Sequence, residues 1–178
     1  NNINSQLILL NIEFKLDNQI FIEKFIKNLF DSKNFSIENI NLAIFKSKIL
    51  KNTLLSIKII KKLIKIQPEI IEFKSNLIGL LREASLFEEG LELCKEFESK
   101  FQLNENFYIN YAAIFFDIGD LKAAEEVIKK SLKKFPKSSL SLLTLGSILK
   151  ENGSLDEAEK YTRLALKINP DIENGLYN

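Results

Sequence analysis

The sequence predicts an all-α protein built from repeated helix pairs, and three observations predict it. The three prolines, Pro68, Pro136 and Pro170, are spaced by two intervals, the first twice the second. Laid out in 34-residue units, the length of the shorter interval, the chain repeats its small, large, glycine and proline positions, the mark of a repeat architecture. Glycine is nearly as scarce as proline, at six residues in 178, so few breakers interrupt long helices.

The units differ in clarity along the chain. Residues 1–70 read as two degenerate helix pairs, an N-terminal cap or worn repeats. The first keeps only a hydrophobic phase, through Leu9, Leu10, Ile22, Ile26 and Leu29. The second keeps Ile40, Ala43, Ile60, Leu63 and Pro68 but lacks the glycine. Unit 71–104 is fuller, with Leu77, Leu81, Phe87, Gly90, Cys94 and Phe97 on the shared offsets. Its Gly79 falls one position late and Gln102 replaces the proline; Ser85 and Glu88 have the spacing of a capping box.

Units 105–138 and 139–172 match most closely. Tyr108, Tyr111, Ala112, Phe115, Gly119, Ala124, Ile128, Ser131 and Pro136 fall at the offsets of Leu142, Leu145, Gly146, Leu149, Gly153, Ala158, Thr162, Ala165 and Pro170. Leu142, Leu145 and Leu149 form one stripe of a first helix. Gly119 and Gly153 stand where that helix ends and a positive φ is commonly needed. Ser154 with Glu157 has capping-box spacing at the start of the second helix. Residues 173–178 read as the start of a further, truncated repeat. Together with the absence of Met, this reads as a piece of a longer protein.

This pattern resembles the tetratricopeptide repeat, in which a large residue, Leu-Gly, a second large residue, Ala, a third large residue and Pro recur every 34 positions. The resemblance implies a right-handed α-solenoid, a superhelix of stacked antiparallel helix pairs in which each unit buries its apolar face on its neighbours. Burial of one Leu or Phe contributes about 1.5–3 kcal/mol, so one pair is marginal and several in series are stable.

Composition narrows the function. Lys+Arg number 25 against 24 Asp+Glu, a net charge of +1, which gives no general attraction to nucleic acid or anionic lipid. With no His and one Cys, at position 94, the chain has no means for His-assisted nucleophilic catalysis, a Cys/His zinc site or an intrachain disulfide. No catalytic, cofactor-binding or metal-ligating constellation is predicted. The longest uncharged runs, Asn1–Ile12 and Ser138–Leu149, are 12 residues each, short of the ~18 that span a bilayer. A cytoplasmic location is expected.

The resemblance also points to candidate binding residues, because in this family the first helix of each unit lines the concave groove. Its sixth position reads Leu42, Asn76, Asn110, Thr144 and Asn178. Such a series is similar to the asparagine ladder of superhelices attached to protein O-glycosyltransferases, in which each amide both donates to and accepts from a peptide backbone. The competing reading is chance, since Asn is common throughout this chain. A carboxylate clamp is not expected, because no second, fifth or sixth position from Glu72 to Thr144 is basic. The thirteenth positions, Glu83, Asp117 and Glu151, form an acidic row suited to a basic ligand or to a polar helix end.

Lys58, Lys61, Lys62 and Lys65 fall on one helical face and are expected to be solvated. Cys94 takes the offset of Ile128 and Thr162, a core position. The functional expectation is a scaffold binding a protein or extended peptide, without nucleic acid, membrane or cofactor. Two alternatives are the recruiting arm of a larger enzyme, such as a glycosyltransferase, whose catalytic domain follows residue 178, and self-association through terminal repeats.

Overall fold

The computed structural model describes Ile12, Glu13, Leu16, Ile20 and residues 53–172. All but those four residues of the degenerate pair in 3–36, residues 37–52 of the pair in 37–70 with Leu42 among them, and residues 173–178 with the ladder member Asn178 lie outside the described residues. Among the described residues the chain is helical, without strands. The helices described there follow in the order α1 (Thr53–Ile66), α2 (Ile71–Glu83), α3 (Phe87–Lys100), α4 (Glu105–Asp117), α5 (Leu121–Lys134), α6 (Ser139–Glu151) and α7 (Leu155–Ile168). Successive starts of α2, α4 and α6 are one repeat length apart, as are those of α3, α5 and α7.

The chain divides into two compact units, residues 1–73 and 74–178. In the first, α1 buries Leu55, Ile57, Ile59, Ile60 and Leu63. Lys62 and Lys65 are exposed, whereas Lys58 and Lys61 are half-buried.

In the second unit α4 packs on α5, α5 on α6 and α6 on α7, while α3 meets α4 and α4 also meets α6. Leu77, Ile78, Leu81, Cys94, Phe97, Phe107, Tyr108, Ala112, Ile114, Ala124, Ile128, Leu145, Leu149 and Ala165 fill the core between these layers. Most large and small residues that recur within the helices are therefore buried, with Phe115 and Thr162 half-buried, while the recurring Gly119, Gly153, Pro136 and Pro170 are exposed. Gly146 lets α6 and α7 approach: a Cβ there would stand 2.6 Å from Thr162 Oγ1 and 3.2 Å from the Ala158 carbonyl oxygen.

The turn inside each pair has one form. Gly119 and Gly153 have φ of 83° and 80°. The next N–H in each case reaches back to the helix, Asp120 N to Phe115 O and Ser154 N to Leu149 O, both at 2.9 Å. This is the closure of a left-handed helix end, which satisfies carbonyls the helix leaves open. Ser85 occupies the same place in the α2–α3 turn with φ 56°, and Leu86 N bonds Leu81 O at 2.9 Å.

Both expected capping boxes are corrected here. Leu86, not Ser85, precedes α3, and it makes no side-chain cap, because Ser85 serves as the left-handed residue closing α2. Ser154 does precede α7, yet its side chain makes no cap hydrogen bond. Caps form elsewhere: Asn104 Oδ1 accepts from Phe107 N, Asp120 Oδ1 from Ala123 N and Ser138 Oγ from Ser141 N, at 2.9–3.0 Å.

Candidate binding face of the first helices

The first helices α2, α4 and α6 carry the predicted site residues, and hydrogen bonds and contacts within the second unit join them. Asn76 on α2 is exposed. Asn110 on α4 is half-buried, and its Nδ2 donates to the Ser75 carbonyl oxygen at 2.9 Å. Gly79 makes room for that amide, since a Cβ there would come within 3.3 Å of Asn110 Nδ2. The glycine one position late in its repeat is thus placed by its neighbour on α4. Ser75 is held a second time, its Oγ donating to Asn104 Oδ1 at 2.7 Å.

Thr144 on α6 is half-buried, and its Oγ1 donates to the Leu140 carbonyl in its own helix at 2.8 Å. A hydroxyl has this local alternative, which an asparagine amide at the end of its longer arm does not take at position 110. Asn76 and Asn110 therefore place amides on α2 and α4, with one N–H of Asn110 committed to α2, while Thr144 commits its hydroxyl to its own helix.

The acidic row is also divided. Asp117 forms a fork-shaped pair with Arg82, Nε to Oδ2 at 2.6 Å and Nη2 to Oδ1 at 3.3 Å. Glu83 and Glu151 are exposed. The residue 35 before Glu151 is Phe116, so the Arg82–Asp117 arrangement does not recur there.

Two linking residues, Arg82 and Gly79, escape a reading by repeat offset. A spacing of one repeat plus one finds Arg82, and Ser75 with it: Ser75 to Asn110 and Arg82 to Asp117 are both 35 apart; no such spacing marks Gly79. Lys74 is a third surprise. It occupies the offset of Tyr108 and Leu142, is fully buried, and sets its Nζ 3.9 Å from the Phe101 ring centroid. An ammonium over an aromatic face is attracted by the ring's negative centre.

Reactive groups lie in the core. Burial, followed by the charge of Glu98, pushes the Cys94 thiol well above its ordinary range, so it stays protonated and packs as a small apolar group. Burial likewise pushes the Tyr111 hydroxyl up to about 12. Among the described residues no cluster of His, Cys, Asp and Glu could hold a metal ion, and no helix is long and apolar enough to cross a membrane.

The described helices thus define an all-α array of 34-residue helix pairs closed by left-handed turns. The family model of Iml2/Tetratricopeptide repeat protein 39 matches residues 103–174. Among solved structures, the thermophilic tetratricopeptide-repeat protein TTC0263 of Thermus thermophilus superposes with a TM-score of 0.68 at 16% identity, over 99% of this chain and 96% of that one. MamA from Desulfovibrio magneticus RS-1 gives 0.62 at 12% identity, over 93% and 96%. A tetratricopeptide-repeat protein from Parabacteroides merdae gives 0.59 at 16%, over 75% and 53%. No curated protein matches the sequence. The chain is thus similar in sequence to a tetratricopeptide-repeat family over residues 103–174, and similar in fold to solved tetratricopeptide-repeat proteins.

Proposed function

We propose that the chain is an interaction scaffold that binds an extended segment of a partner protein along the face made by α2, α4 and α6. Proteins of this fold are in general protein-interaction scaffolds, which supports the class. The observation that carries the finer reading is the pair Asn76 and Asn110, one exposed and the other fixed by Ser75 and Gly79 on the adjoining helix. An amide both donates and accepts, so two amides on adjoining helices match the alternating N–H and C=O groups of an extended backbone. A prearranged amide loses less entropy on binding than a mobile one. Glu83 and Glu151 belong to the same proposal, as groups favouring basic residues in the bound segment.

The test uses peptides selected from a random displayed library on the intact chain. Asn76→Ala is expected to weaken binding several-fold, about 1 kcal/mol for a lost neutral hydrogen bond. Asn110→Ala is expected to weaken it further and to cost stability through the Ser75 bond. Unchanged affinity in the Asn76→Ala and Asn110→Ala double variant removes this face from consideration.

A further inference from the structure

We infer that the junction between units 71–104 and 105–138 is a salt-sensitive hinge, stiffened by two ion pairs for which the following junction has no counterpart.

The centre of this junction is apolar and compact. The Phe97 ring on α3 stands 6.4 Å from the Phe107 ring on α4. Gly90 lies so close to α4 that a Cβ would stand 2.8 Å from Ile114 Cδ1. Two further sets of contacts join the same units. On the first helices, Arg82 grips Asp117, and Ser75 is bonded by both Asn110 and Asn104. On the second helices, Lys130 Nζ reaches both carboxylate oxygens of Glu98 at 3.2 Å. One set ties first helix to first helix and the other ties second to second, so a bend about the aromatic contact must stretch one of them.

The next junction is built differently. The offsets of Arg82 and Asp117 are filled there by Phe116 and Glu151, and those of Glu98 and Lys130 by Leu132 and Leu164. Neither couple can form an ion pair. Leu132 instead packs against the cluster of Leu142, Leu143, Ala165 and Ile172. Ser131 and Ser141 share a buried hydroxyl hydrogen bond of 2.8 Å. Lys129 feels Glu157 across this junction, but more weakly than it feels Glu125, its partner one turn away. The α5–α6 contact is also broader than the α3–α4 contact.

These differences separate the two junctions by their response to salt. Side chains of the Arg82–Asp117 pair are 40% and 29% exposed, and those of Lys130–Glu98 are 54% and 26%. Between 0.15 M and 1 M salt the screening length falls from about 8 Å to about 3 Å, which weakens exposed pairs and leaves apolar packing intact. Losing one such pair shifts an equilibrium about twofold, and losing both about fourfold toward the bent form.

The experiment measures distances between spin labels at equivalent exposed sites, in a Cys94→Ser background. Glu88→Cys with Lys122→Cys spans the first junction, and Lys122→Cys with Asp156→Cys spans the second. Raising salt from 0.05 M to 1 M is expected to broaden the first distribution and leave the second unchanged. Arg82→Gln with Lys130→Gln is expected to broaden the first at low salt and abolish its salt response. Equal broadening at both junctions, broadening at neither, or a salt response that survives neutralisation overturns the hinge.

Discussion

The three intra-pair turns offer a test in which two kinds of substitution, glycine to alanine and serine to glycine, should act with opposite sign. Gly119 and Gly153 have positive φ and open space around them, with no atom within 4 Å of an added Cβ. Gly119→Ala and Gly153→Ala therefore meet no steric obstacle, and their cost is conformational. A left-handed backbone costs an L-residue about 1–2 kcal/mol. Against this, alanine restricts the unfolded chain and returns about 0.4–1 kcal/mol. Each glycine substitution should therefore destabilise by about 1 kcal/mol, or about 2–4 °C in Tm. Ser85 bears the left-handed strain already at φ 56°, with the same closing bonds, Ser85 N to Arg82 O and Leu86 N to Leu81 O, both 2.9 Å. Ser85→Gly should stabilise by about 0.5–1 kcal/mol, the strain relieved less the entropy that glycine adds to the unfolded chain. Urea unfolding followed by circular dichroism reads both as shifts of midpoint at constant slope. A Ser85→Gly variant that loses stability, or a neutral Gly153→Ala, would refute the assignment of strain to backbone conformation.

Two further outcomes follow from the core. Gly146→Ala should cost about 1–3 kcal/mol through overpacking against Thr162, and adding Thr162→Ala should recover part of that loss. A double-mutant cycle showing strict additivity would sink this account. Tyr111 is held at about 12 by burial, above its ordinary value of 10.0, so its neutral form is favoured in the folded chain. Its contribution is fully present below about pH 10 and is lost as pH rises toward about 12. Tyr111→Phe should flatten the fall in Tm over that window; an identical fall in both proteins would count against it.

Much of the helical plan is legible in the sequence because close packing of two helices demands small and large residues at fixed offsets. The interval between the last two prolines recurs in the helix starts at Ile71, Glu105 and Ser139. What escaped belongs to a different scale. Ser85 and Glu88 have capping-box spacing, yet the helix end needed a left-handed residue and took the serine for it. Gly79 looks displaced within its own repeat because the constraint on it comes from Asn110, in the following repeat and on another helix. Among the ladder candidates, Asn76, Asn110 and Thr144 share one offset, but Asn110 bonds the neighbouring helix and Thr144 its own. A hydroxyl one turn from a carbonyl satisfies itself, while an amide beside a glycine reaches across. Periodicity records where a side chain starts and is silent on that choice.

The unlike junctions also impose an order on the units, so that they are not interchangeable modules. Were recombination to delete residues 105–138 and join unit 71–104 directly to 139–172, Glu98 would come to the offset opposite Leu164, and the Ser75 carbonyl would lose the Asn110 amide to a threonine committed to its own helix. A shortened chain would keep its helical period and still carry mismatched seams. Copy number in this array is thus tied to sequence at the boundaries, and a unit can be gained or lost without penalty only together with the residues that face it.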